Sequence, residues 1–179
     1  MHLTFAMMLT ILPSLLLMAA AQPVPNVDLD RYAGTWYEVA RFPNRFQKSC
    51  AGDVTANYTL NPDKTIKVVN TCREDGKTKP KSAEGLARVA KEDKGGNSIL
   101  EVRFAPAFLS FIGAVWGDYR IIGLDTANYK YALVGSEDLK YLWILSRTKT
   151  LDPAAYDRLV AEAKRQGYDT AKLVRTPQK

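Results

Sequence analysis

Apolar and polar positions alternate with a period of two through most of the middle of the chain, the pattern of half-buried strands. Val54, Ala56, Tyr58 and Leu60 alternate with Asp53, Thr55, Asn57 and Thr59, and Ile66 and Val68 alternate with Thr65 and Lys67. Further runs of this kind are Leu100/Val102/Phe104, Tyr119/Ile121, Tyr131/Leu133 and Tyr141/Trp143/Leu145. Turn-forming stretches separate them: Asn61-Pro62-Asp63, Glu74-Asp75-Gly76, Lys94-Gly95-Gly96-Asn97, Asp125-Thr126-Ala127-Asn128 and Ser136-Glu137-Asp138. With a first strand over 36–42 and a weaker one over 82–90, the pattern predicts eight strands. Links this short make successive strands antiparallel neighbours.

The period changes once. Asp152 suits a helix N-cap, Pro153 the first turn and Gly167 the end, while Tyr156, Leu159, Val160 and Ala163 share one face. That stripe needs a surface to cover. Leu142 and Ile144 lie on the opposite parity from Trp143 and offer one. The expected fold is therefore all-β: an eight-stranded antiparallel up-and-down β-barrel with one C-terminal α-helix packed outside, able to hold one small ligand.

Residues 1–21 stand apart. They carry no Lys, Arg, Asp or Glu and end in Ala19-Ala20-Ala21, the small-x-small pattern of a secretory cleavage site. The expected organisation is a cleaved signal peptide at 1–21 and a single domain at 22–179. The competing reading, a retained membrane anchor, is opposed by Pro13 and the small-residue end, although the segment has no basic side chain before its apolar run. No other stretch approaches the ~20 apolar residues of a membrane-spanning helix.

Composition sharpens this picture. The chain has 179 residues, 25 basic and 19 acidic side chains, a net charge of +6, and one histidine. That histidine is His2, inside the expected leader, so the exported domain has no imidazole for Ser-His or Cys-His catalysis. Neither a metal site nor a cofactor is expected. The basic balance invites nucleic-acid binding, but no basic helix or regular basic-aromatic array supports it. Asn57-Tyr58-Thr59 fits a glycosylation sequon yet falls inside an expected strand.

Two cysteines remain, Cys50 and Cys72. In an exported chain a pair usually forms one disulfide. The intervening hairpin brings them near its open end, where a bridge is worth about 3 kcal/mol less any strain. A free thiol at Cys50 is the alternative.

The sequence resembles the lipocalins, and within them the bacterial outer-membrane lipocalin branch related to apolipoprotein D. LDRYAGTWYEVARFPNRF places Gly34 and Trp36 like the first lipocalin motif, GLDTANYKYALVG places Asp125 and Tyr129 like the second, and YLWILSRT places Arg147 like the third. No cysteine follows Ala21, so the lipid attachment of bacterial lipoproteins is not expected. The resemblance implies the same barrel, with Arg147 packed over Trp36 at one end, an arrangement worth roughly 0.5–2 kcal/mol.

The opposite end is then the mouth. Chain direction places there the loops at 42–49, 73–81, 105–115 and 135–140, with Cys50 and Cys72 at the same rim. Arg41, Arg45, Lys48, Arg73, Lys77, Lys79 and Lys81 outnumber Glu74, Asp75, Glu137 and Asp138 at that rim. Such an excess suits an anionic headgroup or membrane surface, or is ordinary solvated loop charge. Phe108, Leu109, Phe111, Ile112, Val115 and Trp116 form an apolar loop that contacts membrane, partner or ligand, or folds inward as a lid. Entrance or membrane contacts are accordingly expected at Arg41, Arg45, Phe108, Phe111 and Trp116.

Parity nominates the ligand contacts: Glu38, Tyr58, Asn70, Phe104, Tyr119, Tyr131, Tyr141 and Trp143. Glu38, if buried, requires a partner, and Arg120 is the candidate. The expected function is non-covalent binding and transport or storage of a small amphipathic lipid, a fatty acid or lysophospholipid, in a periplasmic or outer-membrane-associated setting (secreted in a cell without an outer membrane). The expected partners are that lipid and an anionic membrane surface, with a homodimer through the apolar loop as another use of it. A lipocalin-type isomerase using Cys50 is the alternative. It is disfavoured because nothing in the exported chain would activate the thiol.

Overall fold

The computed structural model describes residues 21–179. The leader expected at 1–21 lies outside them apart from its last residue.

Eight strands form the barrel: β1 (Gly34–Arg41), β2 (Gly52–Leu60), β3 (Ile66–Arg73), β4 (Lys81–Val89), β5 (Ile99–Arg103), β6 (Gly117–Leu124), β7 (Tyr131–Gly135) and β8 (Leu142–Ser146). Each pairs antiparallel with its sequence neighbour, and β1 pairs with both β8 and β2, which closes the sheet. A ninth, two-residue strand, β9 (Val174–Arg175), adds to β1 at Ala40 and Arg41. A single turn of helix, α1 (Leu29–Tyr32), precedes β1, and α2 (Pro153–Arg165) follows β8. The expected barrel and outer helix are the observed architecture, with β9 as an addition.

Side chains sort into two cores by strand parity. Inside the barrel, Trp36, Tyr58, Val68, Ala87, Leu100, Ile121, Ala132, Val134 and Leu145 form one cluster. Outside it, Val39, Ile122, Leu133, Leu142 and Ile144 pack with Leu159 and Ala163 of α2. The Asp152 carboxylate caps α2 by accepting from Ala155 N at 3.0 Å, and Pro153 begins the helix. Alternation presents Ile121 inward and Ile122 to the helix, and the register shift between Ile121 and Gly123 returns Leu124 to the inner cluster.

The β1–β2 pairing spans only Gly34 to Tyr37. Above it the two strands part, and the C-terminal segment fills the seam. Gln178 Nε2 donates to Glu38 O and Val54 O, both at 2.9 Å. Thr176 N donates to Val39 O, and Asp53 N donates to Pro177 O. The tail thereby supplies backbone partners that the neighbouring strands do not give each other there.

Candidate ligand-binding cavity

The closed end is built first along the chain. Asp28 caps α1, and Trp36 Nε1 donates to Tyr32 O at 2.8 Å. The Arg147 guanidinium stacks 3.8 Å from the Trp36 ring centroid. It donates to the carbonyls of Thr35, Arg31, Tyr32 and Tyr129. Gly34 suits the backbone here because its φ of +92° is left-handed, a conformation that side-chain-bearing residues rarely adopt. In the adjoining turn Tyr129 N bonds to Asp125 O, and the Tyr129 hydroxyl accepts from Asp28 N. Gly34, Trp36, Asp125, Tyr129 and Arg147 thus meet in one seal of packing and backbone hydrogen bonds.

Above the seal the inner face becomes small and partly polar. Cross-strand neighbours share a face, so Trp36, Ala56, Asn70 and Ala83 form one inner row, and Tyr58, Val68 and Gly85 another. Ala56, Val102, Tyr119 and Trp143 pack on the inner cluster yet retain accessible surface. Burial raises the Tyr119 phenol well above the ordinary value. The phenols of Tyr32 and Tyr58 each bond to Tyr119 Oη, at 2.8 and 2.9 Å. Burial also raises Tyr32, and it pushes Tyr58 up to about 12. All three are neutral at physiological pH. Asn70 Oδ1 is buried and has no hydrogen-bond partner. Phe104 is at the inner wall's upper edge, its ring covering Gly85, where a Cβ would come within 2.8 Å of it.

At the mouth a side-chain network replaces the backbone one. Asn44 caps a single 3-10 turn over Arg45–Gln47 and turns Gln47 inward. Gln47 Oε1 accepts from Trp143 Nε1 at 3.0 Å, and Gln47 Nε2 donates to Glu38 Oε2 at 2.5 Å. Thr176 Oγ1 donates to Glu38 Oε1. Arg41 Nε lies 3.2 Å from the same oxygen, but its N–H is directed away and has no acceptor, so the contact is ionic only. Burial raises the Glu38 carboxyl, an effect opposed by its bonds to Thr176 and Gln47 and by Arg41. Tyr141 stacks on Trp143 at 5.7 Å, and Phe46 lies 5.7 Å from Tyr141 on the outer side.

The rim combines apolar exposure with unpaired positive charge. Phe108 and Phe111 are 73% and 83% exposed. Arg73 is held by Asp53 and Asp75, and Lys81 lies 3.8 Å from Glu74. Arg45, Lys48, Lys77 and Lys79 make no ion pair among the described residues. Cys50 and Cys72 are joined in a disulfide at this rim, so neither supplies a thiolate. This removes the nucleophile on which an isomerase reading depended.

Three sequence-based placements need correction. Tyr131 is not on the cavity wall: it packs with Leu133 in the outer cluster under α2, while Ala132 and Val134 face inward. Trp116 is not an exposed entrance residue. Its indole lies on the outer wall under Arg88, 3.9 Å from ring centroid to guanidinium, and donates to Ser110 O. Arg120 does not partner Glu38. It bonds Asp118 and Glu137 on the outer face, and Arg41, Gln47 and Thr176 surround Glu38 instead. The alternation also missed Tyr32 and Gln47. Tyr32 precedes β1, and only the Asn44 cap signal hints that Gln47 turns inward. A depression of about 320 Å3 on the outer wall, lined by Asn61, Lys67, Leu86 and Arg103, is wide open and offers a lipid tail no enclosure.

Comparison with known proteins agrees with this geometry. Residues 27–178 match the lipocalin-like domain family. The chain is 44% identical over 156 residues to temperature-induced lipocalin-1 of Arabidopsis thaliana, covering 87% of this chain and 81% of that protein. It is 35% identical to the outer membrane lipoprotein Blc of Escherichia coli K12, covering 89% of this chain and 88% of the relative. Apolipoprotein D of Mus musculus is 28% identical, covering 86% of this chain and 78% of the relative. Among solved structures, insecticyanin from the tobacco hornworm Manduca sexta superposes with a TM-score of 0.69 at 21% identity, over 89% of this chain and 85% of that one, a likeness of fold.

Proposed function

The chain belongs to the lipocalin family, and from that premise we propose that it carries a small amphipathic lipid, a fatty acid or lysophospholipid, non-covalently in its barrel. The observation that carries this reading is the asymmetry of the barrel's two ends. One is sealed by Trp36 and Arg147, and above the seal inward apolar residues keep accessible surface beneath a rim of aromatic and unpaired cationic side chains. A hydrocarbon tail entering this space gains about 25 cal/mol for each Å2 of apolar surface buried. Arg45, Lys48, Lys77 and Lys79 then face the carboxylate or phosphate that stays at the mouth.

The same rim supports delivery at an anionic membrane surface, with Phe108 and Phe111 as the inserting side chains. This reading includes a leader at 1–21, cleaved after Ala21, and with it an exported compartment, periplasmic or associated with the outer membrane. No step of the reading requires catalysis, a metal or a cofactor.

The test is native mass spectrometry and isothermal calorimetry with hexadecanoic acid and lysophosphatidylcholine. One molecule per chain is expected, with micromolar affinity. Ala56→Trp, which fills the inner row beside Asn70, is expected to abolish binding while retaining a cooperative unfolding transition. Absence of binding by the unmodified protein at 100-fold higher lipid, or undiminished binding by Ala56→Trp, ends the carrier reading.

A further inference from the structure

An apolar tail does not account for every group inside this barrel. Asn70 Oδ1 is buried on the inner face without a partner, between Ala56 and Ala83, two side chains too short to reach it with any polar atom. A buried polar atom left unpaired is costly, and most such atoms in folded proteins are paired. Exchanging the amide oxygen and nitrogen of Asn70 does not remove the problem, since it leaves a donor unpaired in place of an acceptor.

A second imbalance lies deeper. Tyr32, Tyr119 and Tyr58 form a chain of three hydroxyls with two contacts, 2.8 and 2.9 Å. Each contact uses one proton, so three neutral phenols leave one O–H without an acceptor in the chain. Tyr58 pairs across the strands with Val68, and Asn70 is the next inward position of β3 toward the mouth. When the chain donates in the order Tyr32, Tyr119, Tyr58, the free proton lies on Tyr58 and the two imbalances are one inward step apart, roughly 7 Å along the strand. One is an acceptor without a donor and the other a donor without an acceptor.

We propose that the cavity is built for an aliphatic chain bearing a hydroxyl group, which donates to Asn70 or accepts from the tyrosine chain while the ionic head remains at the mouth. A hydroxyl is the smallest group that answers both sites, because it donates one hydrogen bond and accepts two. It also answers Asn70 in either amide orientation. A saturated tail answers neither and leaves Asn70 as it stands. This inference rests on the carrier reading and deepens it, by making the tail rather than the head the source of selectivity.

Competition calorimetry with hexadecanoic acid, 10-hydroxyhexadecanoic acid and 16-hydroxyhexadecanoic acid tests it. At least one hydroxylated acid is expected to bind about tenfold more tightly than the plain acid, the effect of one added hydrogen bond to a buried group. Asn70→Leu is expected to bring the mid-chain preference, read as the ratio of the two acids' affinities for that same variant, to within twofold of unity. Tyr119→Phe, which breaks both contacts of the hydroxyl chain, is expected to do the same for the terminal hydroxyl. Equal binding of all three acids by the unmodified protein overturns this inference and leaves the carrier reading intact. Binding of none overturns both. A preference that survives in both variants overturns the assignment to these residues.

Discussion

The two ends of the barrel use polar side chains in opposite ways. At the closed end the side chains that form the seal and cap the turns bond to backbone. Arg147 donates to four carbonyls, Trp36 Nε1 shares one of them, Tyr32 O, and the Asp93 carboxylate in the β4–β5 turn accepts from the backbone N–H groups of five residues from Gly95 to Ile99. At the open end they bond to one another, as in the Trp143–Gln47–Glu38–Thr176 chain, or remain unpaired, as at Asn70 Oδ1 and Arg41 Nε. Backbone partners cannot move without moving the fold, whereas side-chain partners can exchange. The closed end is thus built to hold the barrel, and the open end to change partners when a ligand arrives.

Replacing the same residue type at each end gives the largest contrast. Trp36 is fully buried, and Trp36→Ala removes its packing, its bond to Tyr32 O and the surface under Arg147. A loss of about 4 kcal/mol is expected, with Tm lower by roughly 10 °C. Trp143 is half-buried and stacks on Tyr141 at the mouth. Trp143→Ala is expected to cost less than half as much in stability while weakening lipid binding. Equal stability losses in urea titrations of the two variants would remove the distinction between a structural and an adaptable end.

The closed end was also the more legible in the sequence. Trp36 and Arg147 are fixed by being at the start of the first barrel strand and the end of the last, and closure of the sheet brings them together whatever the loops do. The open end depends on events that alternation does not record. Gln47 enters the cavity through an Asn44-capped turn, and Glu38 finds Thr176 only because the chain returns more than a hundred residues later to fill the β1–β2 seam. Tyr131 illustrates a different limit. Helix α2 covers the outside of β7, so Tyr-Ala-Leu-Val is apolar on both faces and its parity is unreadable. Trp116 reads as an exposed apolar residue because nothing local marks Arg88 as its cover.

The second contrast is in pH dependence, where two carboxylates differ in sign. Burial pushes Asp93 up, but its backbone N–H bonds outweigh burial and hold its carboxyl below the ordinary 3.8. Its contribution is present above that value and is lost as pH falls through the lower folded one. Glu38 is raised above 4.5 by burial, so its contribution is present below 4.5 and is lost as pH rises through the folded value. Asp93→Ala is expected to cost roughly 2 kcal/mol at pH 7 through the unpaired N–H groups, and less below pH 3.8. Glu38→Gln, which cannot ionise, is expected to gain stability relative to the unmodified chain as pH rises above 4.5. Parallel stability profiles for Glu38→Gln and the unmodified protein between pH 4 and 7 would show that the mouth carboxyl titrates as if exposed.

The smallest effect on folding belongs to the outermost part of the open end. Phe108 and Phe111 are largely exposed and appear in neither core cluster, so Phe108→Asp with Phe111→Asp is expected to change stability by under about 0.5 kcal/mol. Its effect on association is expected to be large. Two apolar side chains leave a membrane contact and two negative charges enter beside Arg45, Lys48, Lys77 and Lys79. Sedimentation with vesicles containing one-third phosphatidylglycerol should show binding of the unmodified chain and at least tenfold less of the variant, while lipid binding in the cavity persists. Loss of vesicle binding together with cavity binding would join rim and cavity into one site. Undiminished vesicle binding would instead confine the open end's function to the ligand alone, leaving the exposed phenylalanines to a contact between copies of the chain, which the sedimentation coefficient without vesicles would reveal.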